Sequence, residues 1–253
     1  MLSTKKSSWP LFTQEESDAV QSVLLSNKVN YWTGDECREF EKEFAVWSDA
    51  KYAVAVSSCS AGLHLCMKAL NIQKKDTVAT SPISFVSTAT SVIHESGKLE
   101  FVDIDEETGQ ICPNKLKKTL LKKKIKTIIP VHISGAACKI KELSKICSKK
   151  KINIIEDAAH SFGAKYPNNK MVGSCQYSLC TVFSFHPVKT ITTGEGGMIT
   201  TNSKKMYEKL MILRSHGINK NHKSFKNKIL STTRNVNNPW YYEMIELGMH
   251  YRI

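Results

Sequence analysis

Residues 127–160 read TIIPVHISGAACKIKELSKICSKKKINIIEDAAH. A run rich in β-branched residues at 127–131 is followed by apolar residues at helical spacing over 140–147, then by a second apolar run at 152–155. Two short runs without polar alternation, joined by a helix, are the pattern of parallel strands in a sheet covered on both faces. The second run ends on Glu156-Asp157-Ala158-Ala159-His160. An acid at the end of a buried strand is costly unless it has a partner. In an open α/β sheet, ligands bind at the carboxyl ends of the strands. Taken alone, the motif fits a helix cap or a surface acid as well.

The alternation continues outward. Runs at 52–57, 77–80 and 99–102 are each followed by a helical stretch, at 60–70, 85–94 and 114–121. Ahead of them, Thr13-Gln14-Glu15-Glu16 has the form of a capping box, with Val20, Val23 and Leu24 following at helical spacing. Residues 31–35 read as a loop, and 37–47 as a helix with Phe40, Phe44 and Trp47 on one face. Farther along, the runs 179–183 and 197–201 lack a helix between them, which predicts hairpin-like pairing. A helix at 206–213 follows, and the Asn- and Lys-rich stretch 220–239 predicts a mobile loop. The fold class is therefore α/β, a mostly parallel sheet flanked by helices.

Composition narrows the function. A chain of 253 residues, 41% hydrophobic and 23% charged, can bury a sizeable core. No apolar run is long enough to span a bilayer, and the polar, basic start shows no signal-peptide pattern. The eight cysteines form no CxxC pair and match no zinc spacing, so reduced thiols in a cytoplasm, and no metal, are expected. The net charge is +13. Its lysines cluster at 117–126 and 149–151 without interleaved aromatics, which favours a solvated surface over a nucleic-acid face.

Four segments after strand-like runs carry chemistry. Asp157 is the acid already met. After 179–183 come Ser184-Phe185-His186-Pro187-Val188-Lys189 and then Thr192-Thr193-Gly194-Glu195-Gly196-Gly197. A lysine beside a glycine cluster that admits close backbone approach can serve as an amine nucleophile. After 52–57, Ser58-Cys59-Ser60-Ala61-Gly62 opens a helix whose free N–H groups suit a phosphate. After 77–80, Phe85 can cover a flat ring, although such a residue is more often core. Amine, carboxylate, phosphate cradle and aromatic face together describe a flat, phosphorylated aldehyde: pyridoxal 5'-phosphate.

Across about residues 12–252 the chain resembles the sugar aminotransferases of the DegT/DnrJ/EryC1/StrS group, most specifically over 155–164, 183–189 and 192–197. Within that group, His186, Pro187 and 190–197 look most like the branch of pseudaminic acid synthesis that aminates C4 of a UDP-linked 4-keto-6-deoxy-N-acetylhexosamine. The resemblance implies a fold type I pyridoxal-phosphate transferase. Residues 1–253 would form an N-terminal arm and the large cofactor-binding domain, working in a cytoplasmic homodimer with glutamate as donor. It implies Lys189 as the catalytic, cofactor-holding residue, Asp157 on the pyridine nitrogen and His160 beside the ring. Ser184, Ser60 and the backbone at Cys59 and Ala61 would hold the phosphate, and Phe85 would stack. Trp32, Thr33, Gly34 and His186 would lie near the substrate. His250 and Arg252 stand where the group's asparagine and arginine reach a partner subunit's cofactor phosphate.

Two departures follow from the same comparison. Cys59-Ser60 replaces a glycine-threonine pair, and His250 replaces the asparagine. The smaller C-terminal domain of the group, on the order of a further third to half of this length, is expected to be absent. An inactive cofactor-binding or interaction module is therefore an alternative. A dehydratase of the same group is another, but its members carry histidine where Lys189 stands.

Overall fold

The computed structural model describes residues 9–234 and 236–253. In chain order the elements are α1 (Gln14–Leu25), α2 (Glu36–Ser48), β1 (Tyr52–Val56), α3 (Cys59–Ala69), β2 (Thr77–Thr80), α4 (Val86–His94) and β3 (Lys98–Phe101). Then come α5 (Pro113–Lys122), β4 (Thr127–Ile129), α6 (Ile140–Ser148), β5 (Asn153–Asp157), β6 (Cys180–Ser184), β7 (Gly197–Thr201) and α7 (Lys204–Arg214). The seven strands form one sheet in the order β1-β7-β6-β5-β4-β2-β3. The pairs from β3 through to β6 are parallel; β7 runs antiparallel to both β6 and β1. The expected hairpin-like pairing of 179–183 with 197–201 is thus present, with Ser184 opposite Gly197.

The strands read as apolar runs because both faces are covered. On one face Phe183, Ile128 and Ala55 pack with Phe44 of α2, Leu116 of α5 and Leu143 of α6. On the other, Val182, Val56 and Val78 pack with Leu63 of α3, Val92 of α4 and Leu210 of α7. Adjacent residues of one strand thus serve opposite layers, as the period of two requires.

The capping box at Thr13 forms as expected, with Glu16 N–H on the Thr13 hydroxyl and the Glu16 carboxylate on Thr13 N–H. None of the residues of α1 is buried, however, so Val20 and Leu24 point outward. The stretch expected as a loop over 220–239 carries short elements. After β8 (Ile218–Asn219) come α8 (Lys228–Ser231), β9 (Thr232–Thr233) and β10 (Val236–Asn237), and β11 (Glu243–Met244) returns to pair with β8. The polar residues that suggested a loop build these pieces. Asn221 and Asn227 cap helical turns, and the Glu243 carboxylate accepts Lys226 N–H and Asn227 N–H. The lysines at 117, 118 and 122–124 are exposed on and after α5. No described helix is long and apolar enough to cross a membrane.

Candidate active site

The segments that follow the strands converge on one cleft of about 250 Å³. Its walls include Ser58, Cys59 and Ser60 from the start of α3, and Phe85 and Ser87 from the start of α4. Val131 and His132 follow β4, Asp157 and His160 come from the end of β5, and Ser184, His186 and Lys189 from the end of β6. Eight of the residues singled out in the sequence therefore meet here: Cys59, Ser60, Phe85, Asp157, His160, Ser184, His186 and Lys189.

Asp157 is almost fully buried, and its backbone is fixed on both sides: its N–H donates to Pro130 O at 2.9 Å and its carbonyl accepts His132 N–H at 3.0 Å. The side chain is fixed as well. Oδ2 accepts the Thr88 hydroxyl at 2.6 Å, and Oδ1 accepts Ala159 N–H at 3.1 Å. A carboxylate oxygen has more than one acceptor site, so Asp157 can still meet a donor in the cleft.

Lys189 stands half-buried on the loop between β6 and β7. Its N–H bonds His186 O at 2.9 Å, closing a turn. The loop is pinned farther on by Thr192 Oγ1 to Phe185 O, 2.7 Å, and Phe185 N–H to Gly196 O, 2.9 Å. Burial, and after it the Lys189 ammonium, push the His160 imidazole below its ordinary range, with Asp157 opposing. His160 is thus neutral at pH 7. Burial, and then the Asp157 charge, push the Cys59 thiol well above its ordinary range, with Lys189 opposing, so Cys59 is a neutral thiol.

The start of α3 is built by Ser58, whose hydroxyl accepts Ala61 N–H at 3.0 Å. Ala61 N–H is therefore already bonded, and the N–H groups of the first turn without an acceptor among the described residues belong to Cys59 and Ser60. Cys59 opens the helix itself, a conformation any L-residue adopts, so the loss of a glycine there carries no backbone strain. The glycine cluster has a visible purpose. A Cβ on Gly197 would lie 2.7 Å from Cys59 N and 2.7 Å from Ser58 C, so β7 can pass beneath the start of α3 only as glycine. Phe85 is 69% exposed, which removes it from the core and leaves its ring at the cleft.

Other candidates lie elsewhere. Trp32 is exposed, with Lys220 Nζ 4.2 Å and Arg252 Cζ 5.5 Å from its ring centre. Thr33 N–H bonds Asn30 O at 3.1 Å. Gly34 lines a neighbouring cleft with Tyr31, Phe40 and Thr193, and Glu195 borders both clefts. His250 pairs with Ser215 and stacks on His216 at 4.9 Å. Arg252 Nη1 is buried without a hydrogen-bond partner among the described residues.

Sequence reasoning missed the buried support of the cleft. His132 and Glu156 are fully buried and bonded, Nε2 to Oε2 at 2.8 Å. Cys138 N–H donates to His132 Nδ1 at 2.9 Å, so the proton sits on Nε2 and is given to Glu156. Glu156 also receives the hydroxyls of Tyr166 (2.6 Å), Thr181 (2.9 Å) and Ser178. Burial opposes its charge, yet the donors from His132, Ser178 and Tyr166 hold its carboxyl below the usual range. His132 directly follows the run 127–131, so the position just after that strand, the same signal that marks Asp157 and Lys189, points to it. Thr88 carries no such positional signal.

The arrangement offers an amine, a buried carboxylate, a helix start and an exposed aromatic face in one cavity. That set can hold a flat, anionic ring bearing a carbonyl.

Comparison with known proteins agrees with this chemistry. Residues 10–253 match the model of the DegT/DnrJ/EryC1/StrS aminotransferase family. The chain is 38% identical over 241 residues to the spore coat polysaccharide biosynthesis protein SpsC of Bacillus subtilis, covering 95% of this chain and 58% of that one. It is 35% identical over 242 residues to a UDP-4-amino-4,6-dideoxy-N-acetyl-beta-L-altrosamine transaminase of Campylobacter jejuni, covering 95% of this chain and 58% of the other. The X-ray structure of an aminotransferase from Psychrobacter cryohalolentis superposes with a TM-score of 0.87 at 37% identity, over 98% of this chain and 60% of that one. The chain thus spans about 58% of the length of these curated relatives.

Proposed function

Because the chain belongs to the DegT/DnrJ/EryC1/StrS aminotransferase family, we propose that it is the cofactor-holding part of an aminotransferase that moves an amino group from glutamate to a nucleotide-linked 4-keto-6-deoxy sugar. The observation that carries this reading is the meeting of Lys189, Asp157, Phe85 and the start of α3 around one cleft. The donor set fits pyridoxal 5'-phosphate, which when bound acts as the electron sink for transamination.

The chain's own residues divide the work. Lys189 Nζ would hold the cofactor through its carbonyl and, as a free amine, would serve as base and then acid for the substrate proton. Asp157 would keep the ring nitrogen protonated, because an adjacent negative charge favours the cationic form. The N–H groups of Cys59 and Ser60, with the Ser60 and Ser184 hydroxyls, would bind the phosphate. Phe85 would cover the ring face, and neutral His160 would sit beside it. A UDP-linked sugar is favoured by the Campylobacter relative, and surface polysaccharide synthesis by the Bacillus one. His186 and the 32–34 loop would lie towards the sugar. His250 and Arg252 lie outside the cleft and would complete the phosphate site of a partner subunit in a homodimer. Lys189 itself speaks against the dehydratase reading.

The test is reductive trapping. The purified chain is mixed with pyridoxal phosphate, reduced with borohydride, digested and mapped by mass spectrometry. An adduct on Lys189 is expected, and its loss in Lys189→Ala. Trapping at scattered surface lysines, unchanged in Lys189→Ala, would overturn the reading.

A further inference from the structure

We infer that Thr88 is a positioning residue that fixes the plane of the Asp157 carboxylate towards the cofactor ring nitrogen; this rests on the functional reading above. Thr88 sits in the first turn of α4 and is completely buried. Its hydroxyl lies 2.6 Å from Asp157 Oδ2 and 2.5 Å from Ser84 Oγ. The direction of this chain is fixed by chemistry. An ionised carboxylate only accepts, so the single Thr88 proton goes to Asp157, and Ser84 donates to Thr88. A hydroxyl that itself receives a hydrogen bond is a stronger donor.

The remaining contacts of Asp157 show why this bond matters. Oδ1 has the rigid backbone N–H of Ala159, and the Cys59 thiol is 4.0 Å away. Thr88 is the side-chain donor that fixes the second oxygen, and so fixes the plane of the carboxylate. With Thr88 present, the carboxylate would meet a ring nitrogen in one orientation. Without it, the group could turn about its Cβ–Cγ bond, and its hydrogen bond to that nitrogen would weaken. The same turn of helix presents Phe85, the residue just before α4, to the cleft. One turn therefore supplies the aromatic cover of the ring and the orienting bond of its counter-ion.

The decisive variants are Thr88→Val, which keeps the shape and removes the hydroxyl, and Thr88→Ser, which keeps the hydroxyl. Each is loaded with pyridoxal phosphate carrying ¹⁵N in the ring, and the nitrogen resonance is read with the cofactor dissociation constant. Thr88→Val is expected to shift the resonance, because the hydrogen bond between Asp157 and the ring nitrogen is misaligned, and to weaken cofactor binding roughly 10- to 100-fold, the range for losing a hydrogen bond to a charged group. Thr88→Ser should restore both. A shape-only role would leave the resonance in place. Should Thr88→Val not fold, Thr88→Ala is read in the same way. Wild-type resonance and affinity in the hydroxyl-free variant would overturn the inference while leaving the Lys189 adduct intact. Failure of the wild-type chain to form that adduct overturns the functional reading, and this inference with it.

Discussion

Replacing Arg214 with methionine should cost the fold about 3–5 kcal/mol, the usual penalty for stranding one member of a buried ion pair. Arg214 is fully buried on α7, and its Nη1 lies 2.5 Å from Glu41 Oε1 of α2 and 2.7 Å from Ala55 O. Glu41 Oε1 in turn accepts Ala55 N–H at 2.9 Å, and Oε2 accepts the Tyr31 hydroxyl at 3.2 Å. The Tyr31 ring lies 4.3 Å from the guanidinium. Among the described residues β1 is an edge strand, paired only with β7. The pair therefore offers Ala55 an acceptor and a donor where a neighbouring strand would otherwise stand, and it closes an edge that could pair with another chain. In Arg214→Met the Glu41 charge is left buried. At about 2–4 °C per kcal/mol for a chain of this size, the melting temperature should fall by roughly 6–20 °C. The double variant Glu41→Leu/Arg214→Met removes the stranded charge and should recover part of the loss. The rest stays lost, because Ala55 N–H and C=O still lack partners, at about 1–3 kcal/mol for a buried group. Urea unfolding of the four species gives the coupling energy directly. A loss below about 1 kcal/mol in Arg214→Met, or a double variant that loses the sum of the two singles, would refute the argument.

Two further outcomes are expected. The Glu156 carboxyl lies below its ordinary value of 4.5, so its contribution to stability is complete above that pH and is lost as the pH falls through the lower folded value. Glu156→Gln should therefore be less stable than wild type at pH 7 and lose less on acidification; parallel urea midpoints for the two proteins from pH 7 into acid would contradict this. Gly217 has φ +73, and a Cβ there would run into Glu246 O and Gly248 N. Gly217→Ala should cost more than about 1 kcal/mol and loosen the segment that brings Met249 N–H to Leu213 O at 2.7 Å. Proteolysis at 244–252 no faster than in wild type would argue otherwise.

The alternation of strands and helices was legible because a strand buried on both faces must be apolar throughout, and a helix must follow a parallel strand to return the chain. The order of the strands was not. β1 pairs with β7, about 145 residues later (Ala53 opposite Thr200), and nothing local to either run encodes that meeting. The same limit explains the N-terminal helix. Val20, Val23 and Leu24 have helical spacing, and α1 forms, but spacing cannot say what its apolar stripe rests on; among the described residues none of α1 is buried. At 220–239 the composition misled, since asparagine and lysine are read as solvent-seeking although Asn221 and Asn227 cap local turns.

The site divides along a similar line. Asp157, Lys189, Phe85 and the start of α3 could be found because sheet geometry delivers whatever follows a strand to the cleft. Residues that orient them are reached sideways, from a helix turn, and their types are ordinary. Thr88 is one hydroxyl among several. Yet α4 reads Val86-Ser87-Thr88-Ala89-Thr90-Ser91-Val92-Ile93-His94, with four hydroxyl residues in nine positions. Serine and threonine are weak helix formers because their hydroxyls compete for the backbone. Ser91 does so here, with its hydroxyl on Thr88 O at 2.9 Å. A helix that spends propensity on hydroxyls it then buries must recover the cost in bonds that alanine or leucine could not make. The 2.6 Å bond from Thr88 to Asp157 is such a recovery. A poor helix at a strand's carboxyl end is thus itself a signal of a site, and here it lies in the turn that carries both Phe85 at the cleft and Thr88, the partner of Asp157.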